Sequence, residues 1–270
     1  MRFFIWGLLF WTGGLCAQDL FDLSHTTRYA HYLLQDRRYR AAQVEFQRAL
    51  QLAPGDSLLV QGLMRSYRWD DQAWHALQAA RAYYPDSMNV PGIIAEERLQ
   101  SLLDVRMYPT LYTTASSVAH FPSERRQHWQ VGALLMQHRW TEAQEALTQA
   151  SPTVMTQWAP LAEQGMAIRY KKPGLATGMS MVVPGTGRMY AGQWADGLLS
   201  MLNVGIFSWQ AYRGFRDRGA RSVYGWISSL FGVSFYVGNV YGSHRAAVLY
   251  NEKQNQRVTN EVERLLGDRH

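Results

Sequence analysis

Cysteine is almost absent from this 270-residue chain. Cys16 stands alone, which excludes a disulfide framework and a cysteine-rich zinc site. Charge is scarce too: charged residues make up 18%, below the roughly 25% usual in soluble proteins. The eight histidines show no His-Glu-x-x-His or other metal-ligand spacing, and no Gly-x-Ser-x-Gly elbow occurs. His128 and His138 read as surface or core residues, and Glu96, Glu97, Glu142 and Glu145 as solvated helix faces. The run PGTGR at 184–188 is not a phosphate-cradling loop. Val182 stands where the distant glycine should be, and Arg188-Met189 replaces Lys-Ser/Thr. The expectation is therefore a non-enzyme with no cofactor and no metal. What is plentiful is apolar surface: 47% hydrophobic residues, with ten tryptophans and fifteen tyrosines, so disorder is excluded as the main state. The 27 basic against 21 acidic residues leave +6. Much of that excess flanks apolar segments, so nucleic acid is not expected as a partner.

The first seventeen residues, MRFFIWGLLFWTGGLCA, run from one arginine through an apolar stretch to small residues. That order is the pattern of a secretory signal, with a cut after Ala17. Lipidation of Cys16 and a retained anchor are the alternatives. Cleavage would leave a mature chain without cysteine, and hence without thiol chemistry.

From Tyr29 to Pro54, apolar and small residues at Ala30, Leu33, Leu34, Ala42, Phe46, Ala49 and Leu50 have the spacing of two successive helices. Tyr39, Ala42, Phe46, Ala49 and Pro54 fall on the aromatic, small and proline positions of one known repeat, and this stretch resembles a tetratricopeptide repeat. The pattern recurs at Ala73, Leu77, Ala80 and Pro85, and its second helix again at Trp140, Ala143, Leu147 and Ala150. Residues 88–122 match it poorly, although IIAEERLQSLLDVRM still reads as helix. The resemblance implies a short helical solenoid over residues 18–168, whose stacked pairs form a groove for a protein or peptide partner. Helix phase nominates His31, Gln35, Arg65 and Arg68 for that groove.

Composition shifts at Tyr170-Lys171-Lys172-Pro173. Two uncharged stretches, Gly197–Tyr212 and Ser222–Ser243, predict transmembrane spans at about 194–212 and 222–243, within a hairpin domain of residues 169–249. Trp194, Trp209, Tyr212, Tyr224, Trp226 and Tyr241 lie near their ends, where aromatic belts form. The loop between them carries Arg213, Arg216, Arg218 and Arg221 against Asp217, which predicts a cytoplasmic position. Residues 250–270 read as a separate amphipathic helix with Val258, Val262 and Leu265. Pro184, Gly185, Gly187, Tyr190 and Gly192 spell P-G-x-G-x-x-Y-x-G ahead of the first span. This resembles the glycine- and tyrosine-rich turn of bacterial two-transmembrane-hairpin proteins, and implies a re-entrant turn with Tyr190 at the membrane surface. Asn203 and Asn239 are expected to bond across the hairpin. The small-xxx-small pair Gly238 and Gly242 is expected to allow close packing, within the pair or in a homo-oligomer.

The sequence thus predicts an all-α protein, a short tetratricopeptide-like solenoid followed by a transmembrane helical hairpin. The expected role is a non-catalytic exported scaffold at the bacterial inner membrane. Repeats and tail would lie in the periplasm, and the Arg213–Arg221 loop in the cytoplasm. The alternatives are a transport or channel component, its path lined by the turn and Asn203/Asn239, and an enzyme on lipid-linked substrates using Arg188, Tyr190 and Asp196.

Overall fold

The computed structural model describes residues 22–85, 90–118 and 121–267. The signal segment with Cys16 and the terminal His270 lie outside them. Among the described residues the fold is all-α, with no strand. The chain forms two compact units: one contains the residues up to Met107 with Ser117–Phe121, the other Tyr108–Ser116 with Pro122 onward.

The first unit holds α1 (Leu23–Gln35), α2 (Tyr39–Leu52), α3 (Ser57–Trp69), α4 (Ala73–Tyr83) and α5 (Gly92–Asp104). Each helix packs on the next in a repeat-like order. Asp22 and Asp56 start α1 and α3 by accepting hydrogen bonds from His25 and from Leu58 and Leu59 backbone amides. One turn recurs. Arg37, Asp71, Arg106 and His138 all adopt φ near +60°, at 60°, 58°, 58° and 58°. After each, a backbone N–H returns to a carbonyl five residues back: Arg38 to Leu33, Gln72 to Tyr67, Met107 to Leu102 and Arg139 to Leu134, at 2.9–3.0 Å. Turn equivalence pairs Ala42 with Ala76 and Phe46 with Ala80. That lies one helical turn from the Ala42–Ala73 match suggested by the sequence, and Leu77 is accordingly only half-buried. The recurrence also marks the start of a helix after Arg106, where the pattern of 88–122 reads poorly. Small residues set the packing distance. Phe46, fully buried, fills the space left by Gly62, and a Cβ there would overlap its ring.

The second unit contains α6 (Tyr108–Ser117), α7 (Ser123–Met136), α8 (Trp140–Thr148), α9 (Pro152–Met166), α10 (Pro173–Val182), the short α11 (Thr186–Tyr190), α12 (Trp194–Arg218) and α13 (Val223–Leu266). A single 3₁₀ turn, Gly219–Arg221, joins α12 to α13. The 44 residues of α13 run unbroken, about 66 Å at 1.5 Å per residue. Its first half pairs with α12, its middle with α10 and α11, and its end with α7 and α9. The segment expected as a separate C-terminal helix is therefore the end of α13. Val258 and Val262 are buried as the pattern requires, and Leu266 rather than Leu265 completes the stripe against Gly132.

Among the described residues, no helix is long and apolar enough to cross a membrane. The stretches expected as spans are helical, but their composition is diluted by Gly, Ser and Asn. The arrangement of those residues is inside out. On α12 and the first part of α13 the buried positions are Gly197, Ala211, Gly214, Gly225, Ser228, Gly232, Asn239 and Ser243. Large apolar side chains point away: Trp194 is 70% exposed, Trp209 62%, Leu230 68%, Val223 71% and Tyr241 74%. The helices touch most closely at Gly214, where a Cβ would come within 2.8 Å of Gly225 Cα.

Gly214→Val should accordingly destabilise the full chain and lower its thermal midpoint, by the ~1–3 kcal/mol typical of overpacking. Gly205→Ala, which has nothing within 4 Å of its Cβ, should not lower it. Equal melting of the two variants would refute the close crossing.

Candidate functional site

Folding seals one of the groove residues named from helix phase and leaves the other three exposed or half-buried. His31 and Gln35 are exposed on α1. The His31 ring meets Phe46 edge-on at 5.1 Å, and burial with the Arg65 charge lowers its pKa. Arg65 is half-buried on α3, with its guanidinium 5.7 Å from the Trp69 ring and bonded to Glu97 Oε1 at 2.8 Å. Arg68 is fully buried and cannot line a groove. Its Nη1 donates to Glu97 Oε2 at 2.5 Å and its Nε to Asp104 Oδ2 at 3.0 Å. Glu97, read from the sequence as a solvated residue, is 1% exposed and bridges both arginines. The overlooked signal was spacing: Arg65 and Arg68 share one face of α3, as Glu97 and Asp104 share one face of α5.

The glycine-rich turn, by contrast, assembles. α10 runs down α13, the chain reverses over Val183–Gly185, and α11 returns between α12 and α13. Gly185 has φ +94°, and a Cβ there would overlap the Gly197 carbonyl. Its N–H donates to Oδ1 of buried Asn239 at 3.1 Å. At Gly187 a Cβ would overlap the Ala176 carbonyl, and the N–H donates to Ser180 Oγ at 2.9 Å. Ser243 Oγ donates to the Asn239 carbonyl at 2.8 Å, so across the 2.7 Å contact between the two hydroxyls Ser180 must be the donor. Gly185, Gly187 and Asn239, with Ser180 and Ser243, thus form one hydrogen-bonded corner just after Pro184. Gly192, at φ +86°, ends α11. Two expectations need correction. Asn239 engages the turn and not Asn203, which is half-buried on α12. Gly238 has nothing within 4 Å, whereas a Cβ at Gly242 would overlap the Arg188 guanidinium.

A second cluster fastens this corner to α13. Asn251 accepts from the Lys171 amide and donates to the Lys171 carbonyl, both at 2.8 Å. Tyr170 donates to Asn255 Oδ1 at 2.7 Å and accepts from Trp140 Nε1 at 3.1 Å. Tyr190 accepts from the Lys172 amide at 3.2 Å, and the Lys171 ammonium lies 4.7 Å from the Tyr190 ring and 5.6 Å from that of Tyr250. Beside the turn, an open apolar groove of about 570 Å³ is lined by Met181, Tyr236, Val240, Tyr241 and His244. Among the described residues no group of three His, Cys, Asp or Glu could hold a metal ion.

No protein-family model, curated protein or solved structure matches this chain.

His128, on α7, accepts from Trp158 Nε1 at 3.3 Å through its Nδ1, which requires the neutral imidazole protonated on Nε2. Burial, reinforced by Arg125, pushes its pKa down to about 4.

Two outcomes follow from these groups. Glu97→Gln leaves two arginines short of charge, one of them buried. It should cost about 3–5 kcal/mol in chemical denaturation, whereas an unchanged midpoint would mean that the network contributes nothing. For His128, the unfolded chain takes up a proton near pH 6.5 that the folded one refuses until about pH 4. Stability should be complete above about pH 6.5 and fall as pH drops toward 4. His128→Gln should flatten part of that slope, and the His128 proton resonance should titrate near 4. A midpoint at 6 or above would contradict the burial argument.

Proposed function

We propose that this protein is a non-catalytic helical-repeat scaffold of the bacterial envelope, exported and held in the inner membrane by the α12–α13 hairpin. The repeat helices bind protein or peptide partners. The observation that carries this reading is the reversed polarity of the hairpin. Across α12 and the first part of α13 the buried positions are Gly, Ser, Asn and one Ala, while large Trp, Leu, Val, Ile and Phe side chains stand exposed. Exposed apolar areas of this extent mark contact with a membrane or a partner. Small residues at the crossing with polar glue between helices are the packing mode of helices in lipid. Part of the low mean hydropathy of the two segments comes from those inward residues, which face the helix contacts. The part of α12 ahead of its arginines, Trp194 to Tyr212, extends about 28 Å, close to a core about 30 Å thick.

The tetratricopeptide likeness is supported by the recurring turn at Arg37, Asp71, Arg106 and His138, whose spacing is near the ~34-residue period of that repeat. Exposed Tyr29 and Tyr32 on α1, with His31 and Gln35, offer a partner an amphipathic surface. A transport path finds less support, because the Asn239 carboxamide oxygen is committed to the Gly185 amide.

Reporter fusions test the arrangement. Alkaline phosphatase at Gln164 and at His270 should be active, and a fluorescent protein that matures only in the cytoplasm should be bright at Gly219 alone. The protein should also stay with the membrane pellet after alkaline carbonate washing. Fluorescence at all three sites would refute export, and release by carbonate would refute insertion of the hairpin.

A further inference from the structure

The fold-back turn leaves two hydrogen-bond donors without acceptors. Arg188 Nε is buried with no partner, and no acidic side chain pairs with the guanidinium among the described residues. Asn239, 2% exposed, uses its oxygen on Gly185 and leaves Nδ2 equally unpartnered. The two residues are neighbours in the fold. Arg188 lies against Gly242, which neighbours Asn239 one turn along α13, and Asn239 holds the residue three before Arg188. Exposed Arg245 lies one turn beyond Gly242 on the same side of α13. Gly242 is what admits the guanidinium, since a Cβ there would displace it.

A half-buried guanidinium without a counter-charge is costly, and a fully buried amide donor without an acceptor adds to that cost. Both costs are offset by the same ligand chemistry, an oxygen anion that accepts several N–H bonds at once. Phosphate matches the planar guanidinium fork in this way. The geometry points to an oxyanion site at Arg188 and Asn239 that takes a phosphate group, supplied either by an anionic phospholipid headgroup or by free phosphate. The lipid source draws on the membrane reading above, but the site itself does not, because it is formed within the hairpin and turn.

The test uses the full chain in maltoside micelles, where neither export nor topology matters. Three probes are added: phosphatidylglycerol, diacylglycerol with the same acyl chains, and inorganic phosphate. Phosphatidylglycerol should raise the melting temperature and be retained in native mass spectra, whereas diacylglycerol should do neither. Protection by inorganic phosphate as well would identify the phosphate itself as what is recognised. Protection by phosphatidylglycerol alone would assign the site to the lipid. Arg188→Gln and Asn239→Asp should each weaken binding at least about tenfold, the loss of one charge-assisted contact. Asn239→Asp keeps the oxygen that Gly185 needs, so the turn should survive. Gly242→Ala, which keeps the arginine charge but displaces the guanidinium, should weaken binding too and serves if either other variant fails to fold. Equal binding of phosphatidylglycerol and diacylglycerol, no binding of any phosphate by the native chain, or full affinity in folded variants would overturn the proposal.

Discussion

Where the chain reverses after α10, the amide of Gly185 faces inward in a left-handed conformation, with no helical carbonyl to receive it. A buried unpaired amide would cost roughly 1–3 kcal/mol, and Asn239 removes that cost from the far side of the corner. The arrangement of the second unit follows from this bond. It requires glycine at 185, 187 and 197, because the backbones meet too closely for a side chain. It also makes α13 the spine of the unit. A helix has one rigid phase, so placing Asn239 against the turn also places Gly225 against α12 and Leu266 against α7.

The first unit and the hairpin solve the burial problem in opposite ways. In the first, alanine, leucine and phenylalanine fill the interior, and its charges enter as a closed network around Glu97. In the hairpin, the interior is small and polar. Each hydroxyl of Ser180 and Ser243 is matched within the corner, which is what makes their burial tolerable. The outward apolar side chains meet one another only in part, as where Phe207 stacks on Phe231 and Phe235, and otherwise remain exposed among the described residues.

Helices were legible in the sequence wherever one face is apolar and the other polar. Ala42, Phe46 and Ala49 announce α2, and the Asn239 and glycine positions of the turn announce close backbone approach, because few other roles suit those residue types. Leu77 misled, since in a helix an error of one turn leaves the apolar face nearly unchanged while altering which residues are equivalent. The backbone sign at these turns carries only a weak composition signal: Asp71 and His138 are of types enriched at positive φ, whereas Arg37 and Arg106 are not.

Local chemistry therefore determined the helical class, the two places where repeats recur, and the presence of a tight corner at 184–187. Tertiary structure alone decided the partners: that Arg68 is sealed by Glu97 and Asp104, that Asn239 serves the turn instead of Asn203, and that the final amphipathic stretch continues α13. The reason is distance along the chain. Periodicity reports the face a residue presents, through spacings of three and four. What meets that face comes from dozens of residues away, and only the packed chain selects it.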